Sequence, residues 1–90
     1  MKFRRADNVV LQLVDERAFL LDEQGTEMIV LNAVGTMVWA ALDKPCDAGA
    51  IAASLQDRFD DVTLAQLDGD VRDFLDELAE LGLVAPIKER

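Results

Sequence analysis

The chain has 90 residues, of which 51% are apolar, and sets 18 Asp and Glu against 9 Lys and Arg for a formal net charge of −9. That length bounds one small domain with a single core, and the negative field opposes phosphate backbones, which bind proteins through Lys and Arg. One cysteine, Cys46, and no histidine exclude an internal disulfide and a Cys/His zinc cluster, and leave Cys46 without the neighbouring imidazole that activates a nucleophilic thiol.

The chain opens on Met1-Lys2-Phe3-Arg4-Arg5, which is basic, but Asp7 and Asn8 follow with no apolar run between. It does not read as a secretory signal, and no later stretch approaches a bilayer span. A soluble, cytoplasmic protein with no membrane partner is expected. Val9-Val10-Leu11-Gln12-Leu13-Val14 is a first apolar, β-branched run, closed by Asp15-Glu16. Ala18-Phe19-Leu20-Leu21 is a second, followed by the turn Asp22-Glu23-Gln24-Gly25-Thr26, and Met28-Ile29-Val30-Leu31 is a third. Three short strands with short connections predict an antiparallel meander whose third strand lies at an edge.

Helical periodicity takes over at Asn32, which can cap a helix running through Val38-Trp39-Ala40-Ala41-Leu42 and stopping at Lys44-Pro45. Asp47 caps a second, with Ile51, Ala52, Leu55 and Phe59 at helical spacing and Asp60-Asp61 at its end. Thr63 caps a third, whose apolar stripe is Leu64, Leu67, Val71, Phe74, Leu75, Leu78 and Leu81. Gly82 terminates it, and Leu83-Val84 folds back on its last turn. Pro86 and Lys88-Glu89-Arg90 are expected to fray. One domain over 1–90 is predicted, with a core of about 9–84 and frayed termini. Its periodicity alone gives α+β. The order βββααα further fits a winged helix-turn-helix-like domain, a three-stranded antiparallel sheet followed by three helices.

Side chains for chemistry are few: carboxylates, Ser54, some threonines and Cys46. Asp73/Glu77 and Asp76/Glu80 share faces of the third helix and could in principle serve acid–base work. The plainer reading of Asp68, Asp70, Asp73, Asp76, Glu77 and Glu80 is a solvated face, with Arg72 pairing Asp68 and Asp76. Asp57, Asp60, Asp61 and Asp68 lack calcium-loop spacing. The expectation is no enzyme, no cofactor and no metal. Winged-helix DNA binding, or a transcription-accessory role, is the alternative. Against it, the third helix offers one arginine among six acids, and Arg4, Arg5 and Arg17 are scattered.

An edge strand has another use. Its unpaired N–H and C=O groups can accept an extended peptide as one more strand. The third helix would form the second wall of the resulting groove, lending part of its apolar stripe and some of its acids.

Three pieces in order, Leu31-Asn32-x-x-Gly35-x-x-Val38-Trp39, Ile51-x-x-x-Leu55-x-x-x-Phe59 and Asp70-Val71-x-x-Phe74-Leu75-x-x-Leu78-x-x-x-Gly82-Leu83, resemble the PqqD-like family over most of the chain. The resemblance implies a recognition element for ribosomally made, post-translationally modified peptides. Such an element is non-catalytic and holds the leader of a precursor peptide as an added strand. Met28, Ile29, Val30 and Leu31 would pair with or flank the leader backbone, while Leu67, Val71, Phe74, Leu75 and Leu78 would form the apolar wall. Asp70 would meet a polar or basic leader group, and Asn32 and Gly35 would serve the strand–helix junction. Free-standing members of this length are similar to lasso-peptide recognition proteins, whose partners are a leader peptidase and a cyclase; others serve quinone-cofactor maturation. Asp22-Glu23-x-Gly25 and the Leu-Asn junction point to the lasso type. A homodimer through the same edge is a further expectation, and no nucleic-acid partner is implied.

Overall fold

The computed structural model describes residues 2–7, 9–15, 17–22, 25 and 28–87. Among them the order is β1 (Lys2–Arg5), β2 (Val10–Val14), β3 (Arg17–Leu21), β4 (Met28–Leu31), α1 (Ala33–Ala41), β5 (Cys46–Asp47), α2 (Ala48–Gln56), α3 (Leu64–Glu80) and β6 (Val84–Ile87). The α+β reading and the antiparallel meander β2-β3-β4 are found as expected, with β4 at an edge. The turn residues Glu23, Gln24 and Thr26, the strand start at Glu27 and the tail Lys88-Glu89-Arg90 lie outside the described residues.

A single sheet followed by helices is not what forms. A second antiparallel sheet, β5-β1-β6, joins the two ends of the chain, with Lys2 opposite Ile87 and Arg5 opposite Val84. The expectation of fraying is therefore corrected for 2–5 and 85–87. Pro86, which has no N–H to donate, sits in β6, an edge strand where that loss is tolerated. Arg5 also ties this sheet to α1: its Nη2 donates to the Trp39 carbonyl oxygen, and its guanidinium lies 4.8 Å from the indole centroid.

Local chemistry explains the helix ends. Asn32, Asp47 and Thr63 all sit in extended backbone and accept from the N–H three residues on: Gly35 at 2.7 Å, Ala50 at 2.7 Å and Gln66 at 3.1 Å. At the end of α3, Gly82 takes φ +76°; its N–H donates to the Ala79 carbonyl and that of Leu83 to the Leu78 carbonyl. This is the paired closure that a left-handed residue permits. α2 stops at Gln56, one turn before the expected Asp60-Asp61. The N–H groups of Arg58 and Phe59 then donate to the carbonyls of Leu55 and Gln56 in tight i→i−3 turns. Phe59 still packs against the core from this turn, so its spacing was right although its conformation was not.

The core lies where α3 meets α1, α2 and the inner face of the meander. Leu20, Val38, Ile51, Val71, Leu75, Leu78 and Leu83 are at most 1% exposed, and each buried side chain of this kind contributes about 1.5–3 kcal/mol. No buried polar or charged residue interrupts it among the described residues.

Candidate functional site

Strand alternation sets what β4 offers. Ile29 and Leu31 lie opposite Leu20 and Ala18 and face inward; Met28 and Val30 lie opposite Leu21 and Phe19 and face outward. Leu31 is buried and Ile29 half-buried, whereas Met28 is 63% and Val30 57% exposed. The backbone alternates as well. Val14 and Arg17 close a two-residue hairpin in which Asp15 takes φ 51°, and the closing residues of such a turn bond each other. Counting along the ladder from that pair, Ile29 and Leu31 bond to β3, and the N–H and C=O of Met28 and Val30 point to the open side. No described strand occupies that side.

The strand runs directly into α1 through Asn32, and this junction brings α3 alongside. A Cβ on Gly35 would stand 3.1 Å from Phe74 Cζ and 3.4 Å from Leu31 Cδ2. The missing side chain is what lets the Phe74 ring approach the end of β4. Phe74 is half-buried, and Asp70, one turn earlier on the same flank of α3, is exposed. Glu77 and Leu81 continue that flank at helical spacing, exposed and half-buried respectively. The sequence puts Leu81 in the apolar stripe and Glu77 on the solvated face and assigns neither to the groove, although they stand at i+7 and i+3 from Phe74.

Of the expected apolar wall, the structure brings only Phe74 to the surface beside the strand. Leu67, Val71, Leu75 and Leu78 are 0–2% exposed and belong to the core behind it. The opposite flank of α3 turns towards α2: Asp68 lies near Gly49 and accepts from Arg72 Nε at 2.8 Å. That hydrogen bond, and then the charge of Asp68, raises the Arg72 pKa above its ordinary value. The outer face of α3 carries Asp73, Asp76 and Glu80 as exposed acids, and a face of that sign repels phosphate.

Elsewhere little chemistry is assembled. Between α1 and α2 lies a shallow cleft lined by Met37, Ala40, Ser54, Leu55 and Arg58. Its Ser54 hydroxyl donates to the Ile51 carbonyl at 2.7 Å within its own helix. Cys46 is half-buried in β5, opposite Phe3. Among the described residues no three His, Cys, Asp or Glu side chains converge as metal ligands, and no helix is long and apolar enough to cross a membrane.

Residues 17–84 match the family described as Coenzyme PQQ synthesis protein D (PqqD). No curated protein matches the chain. Two solved structures are similar over nearly its whole length. One, described as "TbiB1 in Complex with the TbiA(beta) Leader Peptide", is 27% identical with a TM-score of 0.80, covering 96% of this chain and 99% of that one. The other, "Lasso peptide synthetase B1 complexed with the leader peptide", is 21% identical with a TM-score of 0.81, covering 96% and 100%; at that identity the likeness is one of fold alone.

Proposed function

This chain belongs to the PqqD family, and from that premise we propose that it is a non-catalytic leader-peptide-binding protein of the lasso type. It captures a ribosomal precursor peptide by strand addition at β4 and presents it to a leader peptidase and cyclase in the cytoplasm. The observation that carries the reading is the open backbone edge at Met28 and Val30, at whose end Phe74 of α3 packs beside Gly35 and Leu31. A similar protein, 27% identical, has been solved with a leader peptide bound.

In this reading each expected residue has a defined part. Met28 and Val30 supply the backbone groups that pair with the leader, and their side chains flank the outer side of the added strand. Ile29, Leu31 and Phe74 form the apolar floor and wall on the inner side. Leu67, Val71, Leu75 and Leu78 act from the core, fixing where Phe74 stands. Asp70 and Glu77 meet polar or basic leader groups. The three helices with the meander then form a winged helix-turn-helix-like scaffold turned to peptide recognition. No bond is made or broken by this chain. Holding the leader raises the effective concentration of the attached core peptide at the enzyme.

The reading is tested by fluorescence polarisation of a labelled precursor leader encoded beside this gene, titrated at low and high salt. Saturable binding that a scrambled leader does not reproduce is expected. The acidic surface favours a leader carrying basic groups, and affinity for such a leader should fall as salt rises. Equal binding of native and scrambled leaders would contradict leader recognition.

A further inference from the structure

The opposite edge of the meander is as open as β4 and exposes more apolar side chains, four against two. All five residues of β2 are exposed, with Val10, Leu11, Leu13 and Val14 between 43% and 69%, and no described strand pairs with its outer side. Leu11 and Leu13 lie opposite the buried Leu20 and Ala18, so they carry the apolar inner face of the sheet out past the helices that cover it. Soluble proteins protect such an edge with charge, proline or a bulge. Here the strand has none of the three.

The order of its residues indicates what covers it. Val10-Leu11-Gln12-Leu13-Val14 reads the same in both directions. Laid antiparallel against a second copy about Gln12, it sets Val10 against Val14, Leu11 against Leu13 and Gln12 against Gln12. A two-fold interface demands this kind of self-complementarity. The hydrogen-bond register agrees. The hairpin closed by Val14 and Arg17 sends the N–H and C=O of Leu11 and Leu13 to the open side, and these are the residues that face each other across the axis. Gln12 then forms the central non-hydrogen-bonded pair, where opposed side chains come closest. The charges permit it too, since β2 has none and the densest acids lie on α3.

We propose that β2 pairs with β2 of a second copy, joining two meanders into one six-stranded antiparallel sheet. The two β4 edges stand at its far ends, so the dimer leaves both open, and it does not depend on what β4 binds. A single strand edge offers less than the roughly 1,600 Å² of a standard stable interface, which makes the dimer a concentration-dependent one.

Sedimentation velocity of the full chain between roughly 10 µM and 500 µM tests this. The wild type should pass from monomer to dimer across that range. Gln12→Lys and Gln12→Glu, both at an exposed position, each place like charges at the axis and should weaken dimerisation roughly fivefold or more while leaving the circular dichroism spectrum unchanged. Mixing the two variants should restore the dimer to about the wild-type level, because Lys then faces Glu. A wild type that stays monomeric throughout, variants that dimerise as the wild type does, or a mixture no better than either variant alone would each overturn the proposal.

Discussion

Val30→Pro should abolish leader binding while the domain stays folded. Proline removes a backbone donor and places its ring where the N–H stood. At Val30 that donor points to the open side of β4, not to β3, and the side chain is exposed. The substitution therefore breaks no ladder bond within the protein, and edge strands tolerate it. An added leader strand would lose its bond to that N–H and meet the ring instead, and affinity should drop by more than about tenfold. Ile29→Pro is the control. It removes a donor that bonds to β3 beside the buried Leu20 and should destabilise the fold itself, seen as a lower denaturation midpoint. A folded Val30→Pro protein that binds the leader with unchanged affinity would rule out strand addition at this edge.

Leu75→Ala and Phe74→Ala, adjacent on α3, should have opposite signatures. Leu75 is wholly buried, so truncation leaves a cavity and costs about 2–5 kcal/mol. That is a large share of the roughly 5–15 kcal/mol that holds a small domain together. Urea unfolding should show the midpoint falling with little change in slope, while the protein that remains folded binds the leader as before. Phe74 is half-buried against Gly35, and its loss should cost less stability and more affinity. If Leu75→Ala weakened binding in a fully folded sample, the division of the stripe into core and groove would be wrong.

That division marks the limit of what the residues alone could say. The stripe on α3 was legible because its spacing is regular, as were the caps at Asn32, Asp47 and Thr63 and the closing Gly82, because each satisfies backbone groups with residues close in sequence. A wide apolar stripe does not say which of its members a neighbouring element covers. Here the fold covers Leu67, Val71, Leu75 and Leu78 and leaves Phe74 half-buried against Gly35. The terminal sheet was hidden for a related reason: Lys2–Arg5 and Val84–Ile87 are short, lack clear alternation, and find each other only across the whole chain. The exposure of β2 was not legible either, because an apolar, β-branched run carries no information about whether anything lies on it.

Amide hydrogen exchange measured with and without the leader distinguishes a leader that extends the meander at β4 from one bound elsewhere. With strand addition at β4, the Val30 amide, directed to the open side, should exchange quickly in the free protein and become protected when the leader binds, while the Leu11 and Leu13 amides of β2 should not change at protein concentrations too low for dimerisation. Bound leader with an unprotected Val30 amide, or protection confined to β2 or to the outer face of α3, would contradict it.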